Sequence, residues 1–317
     1  MTDDLFTVSH ITTYHDQVPI VQDLSFSCRA GEVLGVAGES GCGKSTMLRS
    51  LLLLPQKGER IEGEIRFLGR TLTKEDPNTL RKIRGKEIAI IPQQAGRYFD
   101  PIKTISSLFW ENSRIHQTAQ TRSESDQQAL EWLARLGLSD GKRVLRAYPF
   151  ELSGGMNQRV AIALAMVQKP HLLLADEPTS ALDVSSQKQV VSWLRTIKQE
   201  QEMATILISH HLGVLSSLAD HLAVMYAGRW VEYGSKEQVM HRPAHPYTKA
   251  LLLAVPDGCG TMVEGLGGLP PSFVHPPDGC AFAPRCPKAQ AHCHESMPPM
   301  AEVAPGHWSR CFLQKEE

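Results

Sequence analysis

GESGCGKST, the run Gly38, Glu39, Ser40, Gly41, Cys42, Gly43, Lys44, Ser45 and Thr46, decides how this chain is read. It follows an apolar stretch, Val33 to Ala37, that reads as a buried strand, and it precedes Met47 to Leu54, which reads as a helix. Gly38, Gly41 and Gly43 let the backbone curl so that successive N–H groups and a helix N-terminus face one anion. Lys44 is expected to reach the β- and γ-phosphates of ATP, and the Ser45 hydroxyl to ligate Mg2+. A glycine-rich turn that merely contains GKS is the competing interpretation, and the flanking strand and helix speak against it.

A second segment, HLLLADEP, carries four apolar positions, Leu172 to Ala175, that end in Asp176 and Glu177. Two acids at a strand tip are costly unless they are used. Asp176 is expected to hold Mg2+ through water, and Glu177 to polarise the water that attacks the γ-phosphate. On this segment alone, a capped helix start with Pro178 in its first turn accounts for the acids equally well. The phosphate loop upstream favours the catalytic interpretation.

Between these lies LSGGMNQR, Leu152 to Arg159, directly before the apolar helical stretch Val160 to Val167. Alone it reads as a helix start capped by Ser153. With all three segments in this order, the chain resembles the ATP-binding cassette family of transport ATPases over nearly all of residues 5 to 235. The resemblance implies an α/β fold: a P-loop NTPase core with a mainly parallel sheet and an inserted helical subdomain. It also implies that Ser153, Gly154 and Gly155 meet the γ-phosphate of ATP held by a partner subunit's phosphate loop, with Gln158 part of the same signature acting on the partner's nucleotide. A serine hydroxyl and glycine N–H groups at a helix N-terminus are suitable anion donors.

Smaller elements follow from the same resemblance. Tyr14 matches the aromatic on which adenine stacks, and Gln93, after Ile88 to Ile91, matches the glutamine that reaches Mg2+ and the attacking water. The subgroup usually follows that glutamine with Asp-Pro, whereas Gln94 and Ala95 stand here. Ser180, Ala181, Leu182 and Asp183 match the loop that bridges two subunits. His210, after the strand Thr205 to Ser209, matches the histidine that senses the γ-phosphate. His211 occupies a position that is commonly Asp, and it is read as a helix-start residue.

Composition narrows the classes. The chain has 317 residues, a formal net charge of −1 and 21% charged residues, so nothing suggests nucleic acid as a partner. No apolar run approaches the roughly eighteen residues that a membrane helix needs, and MTDDLF lacks the basic and apolar regions of a signal peptide. A cytosolic chain that docks on separate membrane subunits is expected. Lys44 and Ser153 stand too close in sequence for the long coiled coils of cassette ATPases in DNA repair. A single cassette argues against a translation factor, and the intact Glu177 and LSGG motif argue against a non-hydrolytic subunit.

Three blocks are expected. Residues 1 to about 93 and about 160 to 235 alternate strands with helices, and together with an insertion at about 94 to 159 they make an ATP-binding domain spanning 1 to 235. In the insertion, Ser125 to Gly137 places Ala129, Leu130, Leu133 and Leu136 on one helical face. The resemblance makes this subdomain the docking groove for a permease helix; ordinary core packing is the alternative.

Residues 236 to 317 form a proline- and cysteine-rich extension. HRPAHPYTKALLLAVP, His241 to Pro256, and GCAFAPRC, Gly279 to Cys286, are similar to the C-terminal region of the oligopeptide, dipeptide and nickel uptake branch. The resemblance implies the ATPase subunit of a peptide importer, with nickel or metal-chelate uptake as the alternative. It further implies two permease subunits, a second and different ATPase chain, an extracytoplasmic substrate-binding protein, and a place on the cytoplasmic face of the membrane. Cys280, Cys286, Cys293 and Cys311 are separated by five, six and seventeen residues, a thiolate set suited to a soft metal. In related dipeptide-transport ATPases the matching cysteines hold a 4Fe–4S iron–sulfur cluster. Zinc on the same ligands, with His292, His294 or His307 replacing one, is the alternative, and disulfides do not suit a reducing compartment. Cys28 is read as a half-buried strand residue, Cys42 as a filler of the phosphate loop, and Cys259 lies outside the set.

Overall fold

The computed structural model describes residues 4–180, 182–200, 202–254 and 267–315. Cys259 therefore lies outside the described residues, as do Ala181 and Pro256. The chain forms two compact units: one holds Arg29–Glu32 and Lys74–Ser209, the other Phe6–Cys28, Val33–Thr73 and the chain from His210 onward.

In the first unit, the strand Leu172–Asp176 lies between Ile88–Ile91 and Ala204–Ile208, all three parallel. Leu172, Leu173, Leu174 and Ala175 are fully buried, as an uninterrupted apolar run requires when both faces of a strand are covered. From residue 94 to 159 the chain forms no strand and runs through the helices Ile105–His116, Arg122–Arg135, Gly141–Arg146 and the start of Gly154–Met166. The second of these begins three residues before the expected Ser125. Thr121 caps it: its hydroxyl accepts from the Glu124 N–H at 3.2 Å while the Glu124 carboxylate accepts from the Thr121 N–H at 3.3 Å. Its inner face holds Ala129 and Leu133 with Trp132, which the periodicity did not single out, and Leu130 is only partly covered.

In the second unit, Val33–Ala37 runs parallel to His221–Tyr226, which turns through Ala227 and Gly228 into the antiparallel strand Arg229–Ser235. Both turn residues have positive φ, 47° and 79°, the backbone twist that a two-residue hairpin needs. The remaining strands of residues 6–71 depart from the expected parallel alternation. Val18–Cys28, Phe6–His15, Glu59–Phe67 and Arg70–Thr71 form a separate antiparallel sheet in that order. Phe6, Val8, Ile11 and Thr13 face its interior, and an irregularity between Val8 and Ile11 restores that facing after a break in strict alternation. Cys28 ends this hairpin fully buried, not half-buried. The helix after the phosphate loop spans Lys44–Leu51, earlier than Met47 to Leu54, because the chain leaves helical geometry at Leu53, φ 52°.

The C-terminal chain returns to this unit's sheet. His307–Ser309 pairs antiparallel with Arg229–Ser235, and Ala301–Ala304 pairs with His307–Ser309. Glu232, with no exposed surface, accepts from the N–H groups of Ala244 and His245, both at 2.8 Å, and from His307 Nε2 at 2.7 Å. One buried carboxylate thus fixes the start of the helix Pro246–Leu253 and the returning strand together.

Candidate functional site

The phosphate loop is shaped by close backbone approach. A Cβ at Gly38 would stand 2.4 Å from the Met225 carbonyl oxygen, so only glycine fits there. Gly43, at φ 109°, stands before the helix Lys44–Leu51 in a conformation that other residues rarely adopt. The buried Lys44 ammonium donates to the Gly38 carbonyl at 2.8 Å and the Glu39 carbonyl at 2.7 Å. Burial pushes the neighbouring Cys42 thiol up in pKa, opposed by Lys44. Thr46 accepts from Arg49 through its hydroxyl at 3.2 Å and from Ser50 through its carbonyl at 2.7 Å, while Ser40, Gly41 and Ser45 stay exposed. The arrangement gathers a cation and a helix N-terminus under an exposed curl of backbone, which is what a polyphosphate needs.

Two residues that sequence reasoning missed hold the same loop. Tyr247 Oη accepts from the Glu39 N–H at 2.9 Å, and Arg285 grips the Glu39 carboxylate with both terminal nitrogens, at 2.7 and 2.8 Å. Arg285 also donates to the Gly267 carbonyl at 2.8 Å and to Tyr226 Oη at 3.2 Å. The rings of Tyr226, Tyr247 and Phe282 pack tilted or edge-to-face against one another with centroids 4.6–5.4 Å apart, and the Arg285 guanidinium lies over the rings of Tyr226 and Phe282. Burial pushes both tyrosine phenols up. HPYTK and GCAFAPRC contain these residues, but no spacing rule links them to a loop so far upstream.

Also in this unit, Tyr14 is half-buried in Phe6–His15 with the Arg60 guanidinium over its ring, 4.5 Å from the centroid. One face of the ring is therefore covered by a cation. His210 and His211 are exposed with rings 4.0 Å apart, and His211 precedes the helix Leu212–Leu218, the helix-start position expected of it.

In the other unit, Asp176 closes its strand and Glu177 follows at φ 47°, a left-handed conformation that costs a non-glycine residue about 1 kcal/mol or more. The Glu177 N–H donates to the Ile208 carbonyl at 3.0 Å, and the Ser180 hydroxyl donates to the Glu177 carbonyl at 3.0 Å. The acids do not open a helix. The next one is Val184–Glu200, where Asp183 accepts from the Ser186 N–H at 3.0 Å, and Leu182 is buried just before it. Gln93 Nε2 donates to Glu177 Oε2 at 2.8 Å, joining two residues that are 84 positions apart. Gln94 then adopts φ 54°, so the loop turns sharply without the usual Asp-Pro.

The LSGG segment divides. Ser153 and Gly154 are exposed at the start of Gly154–Met166, with the Ser153 hydroxyl accepting from the Met156 N–H at 3.2 Å. Gly155 is partly covered, 3.1 Å from the Leu182 side chain at its Cβ position. Gln158, by contrast, is 1% exposed and turned inward. It accepts from the Ala95 N–H at 3.3 Å and donates to the Pro92 carbonyl at 3.4 Å, which places it under the loop that carries Gln93.

Cys280, Cys286, Cys293 and Cys311 line one pocket with His245, Phe282 and Phe312. All four are free thiols, and burial pushes Cys280, Cys286 and Cys311 up, with neighbouring thiols adding to the shift. Among the described residues, no group of three or more His, Cys, Asp or Glu side chains is arranged to hold a metal ion. His307 is committed to Glu232 and does not serve as a substitute ligand. The four cysteines share this one pocket as free thiols.

The insertion exposes Tyr98, Ile102 and Phe150 at 72%, 81% and 73%, and Phe150 stacks on Tyr148 with ring centroids 5.5 Å apart. The Ile105 N–H donates to the Ala147 carbonyl at 3.0 Å, bringing the two exposed stretches side by side. Among the described residues, no helix is long and apolar enough to cross a membrane.

Comparison with known proteins gives the family. The family described as ABC transporter matches residues 21–180, and the oligopeptide/dipeptide transporter C-terminal region matches residues 231–293. The chain is 41% identical over 298 residues to a probable peptide ABC transporter ATP-binding protein of Sinorhizobium fredii, covering 92% of this chain and 89% of that protein. It is 39% identical to the oligopeptide transport ATP-binding protein OppD of Escherichia coli, covering 96% and 91%. The dipeptide transport ATP-binding protein DppD of Bacillus subtilis is 37% identical, covering 96% and 92%. Among solved structures, the dimeric post-hydrolysis state of an ATP-binding cassette bound to ADP and Pi is similar at TM-score 0.66 and 26% identity, over 73% of this chain and 98% of that one.

Proposed function

The chain belongs to the ABC transporter family of ATPases, and on that premise we propose that it is the ATP-hydrolysing subunit of an importer of di- and oligopeptides. The observation that carries the hydrolytic part is the hydrogen bond between Gln93 and Glu177, at 2.8 Å, which joins the two residues that orient and activate the attacking water. Lys44 and the backbone from Gly38 to Thr46 bind the phosphates, and Tyr14 stacks on adenine. His210 senses the γ-phosphate. Ser45 and Asp176 would hold Mg2+, which neutralises charge on the β- and γ-oxygens when bound.

Ser153, Gly154 and Gly155 act on the nucleotide of a partner subunit, for which exposure at a helix N-terminus suits them. Gln158 serves the same step from within by holding the Gln93 loop. Ser180 to Asp183 bridge the two subunits. ATP binding closes such a pair and hydrolysis reopens it, so the pair cycles with each turnover.

The exposed aromatic and aliphatic side chains at 98–102 and 148–150 support docking on two permease subunits at the cytoplasmic face of the membrane. Peptide-import relatives support peptides as cargo; the family resemblance adds delivery by an extracytoplasmic binding protein and pairing with a second, different ATPase chain. The shared thiol pocket supports an iron–sulfur cluster on Cys280, Cys286, Cys293 and Cys311. When bound, such a cluster supplies folding energy to a tail with little apolar core.

Purification of the tagged chain from detergent-solubilised membranes under anaerobic conditions tests this assignment. Two permeases and a second cassette ATPase are expected with it. Recovery only from the soluble fraction, alone or with nucleic acid, would refute the transport role.

A further inference from the structure

We propose that Arg285 and Tyr247, both from the C-terminal extension, are positioning residues for the phosphate-binding loop, and that Arg285 neutralises a carboxylate that would otherwise repel the nucleotide. Glu39 is the only acid in the loop from Gly38 to Thr46. An uncompensated negative charge beside a polyphosphate site opposes binding of the polyphosphate. Arg285 answers it in the strongest geometry available, a forked pair of hydrogen bonds at 2.7 and 2.8 Å from a side chain only 5% exposed. The guanidinium is itself fixed by the Gly267 carbonyl and Tyr226.

Glu39 is held at its other polar groups as well. Its N–H donates to Tyr247 Oη, and its carbonyl accepts from Lys44, the residue that also serves the phosphates. The entry to the loop is therefore set by the extension rather than by the loop alone. Arg285 sits directly before Cys286 in the short turn Ala283–Arg285, so the turn that presents it to Glu39 also carries a thiol of the cysteine pocket. The proposal rests on the ATPase assignment and on no bound cluster.

The test uses the full chain, a fluorescent ATP analogue for Kd, and steady-state hydrolysis for KM and kcat. Arg285→Ala should raise Kd and KM about tenfold or more, with kcat changed less than about threefold, since the loss falls on binding. Adding Glu39→Gln to Arg285→Ala should bring Kd back to within about threefold of wild type, because the repelling charge is gone. Tyr247→Phe should raise KM by a few-fold with kcat retained. A double variant that binds no better than Arg285→Ala, or an Arg285→Ala protein that binds as wild type, overturns the proposal. If Arg285→Ala does not fold, Arg285→Lys with and without Glu39→Gln gives the same comparison, because lysine loses the fork. Lys44→Ala serves as the control: retained nucleotide binding there would strike the ATPase assignment rather than this proposal.

Discussion

Replacing Glu232 by alanine should release the C-terminal chain from its sheet. The carboxylate has no exposed surface and accepts from the Ala244 and His245 N–H groups at 2.8 Å and from His307 at 2.7 Å. Truncation leaves two backbone donors and an imidazole without their acceptor in a place water does not reach. Removing one partner of a buried, hydrogen-bonded pair costs about 3–5 kcal/mol. That is a large share of the roughly 5–15 kcal/mol that holds a domain folded, so the loss should appear as local opening. Hydrogen exchange read by mass spectrometry is the assay. Amides of Pro246–Leu253 and His307–Ser309 should exchange roughly a thousandfold faster, equivalent to about 4 kcal/mol, while those of Leu172–Asp176 in the other unit stay protected. Because Tyr247 stands in that helix and holds the Glu39 N–H, KM for ATP should rise as well. A change of less than tenfold in exchange across both segments would refute the role given to Glu232.

Three further outcomes are expected. Glu177→Gln should bind ATP, accumulate as a closed nucleotide-bound pair with its partner ATPase, and hydrolyse at least about a hundredfold more slowly; wild-type turnover removes Glu177 as the base. His245 is fully buried, and burial pushes its pKa down from 6.5 to about 3, with its ring accepting from the Tyr247 N–H at 3.0 Å. Its folded form stays neutral while the unfolded form protonates, so its contribution is complete above pH 6.5 and is lost as pH falls from there toward 3. Wild type should lose about 2 kcal/mol more than His245→Asn between pH 7 and 5 in urea titrations, and parallel pH profiles would sink this reading. Finally, anaerobically purified protein should carry roughly four irons with matching sulfide, and Cys286→Ser should lose them together with resistance of the tail to proteolysis. Metal loss with an unchanged tail would count against a structural cluster.

The parts of the site legible in the sequence are those whose chemistry is local. Gly38 to Thr46 combines glycines, a lysine and a hydroxyl within one turn, and Leu172 to Glu177 is a continuous apolar strand ending in acids, so each segment states its own geometry. The strands at 33–37, 88–91 and 172–176 follow for the same reason. Less legible was the antiparallel sheet of residues 6–71, because the positive φ values at His10 and Asp23 interrupt the alternation that marks a half-covered strand. Ser153 and Gln158 belong to one motif in sequence but stand apart in environment, one exposed and one buried. Burial depends on neighbours the motif does not contain.

What the sequence by itself determined was the class of machine: a phosphate loop, a strand-tip pair of acids, the LSGG helix start, and a cysteine-bearing tail of the peptide-uptake branch. Only the tertiary structure decided which residues act together. It joined Gln93 to Glu177, set Gln158 beneath the Gln93 loop, placed four thiols around one pocket, and put Arg285 and Tyr247 on Glu39. The physical reason is range. Backbone curvature, strand patterning and helix capping are settled by side chains a few positions apart, whereas hydrogen bonds between distant segments depend on how the folded chain brings them to within about 3 Å, which no local pattern encodes.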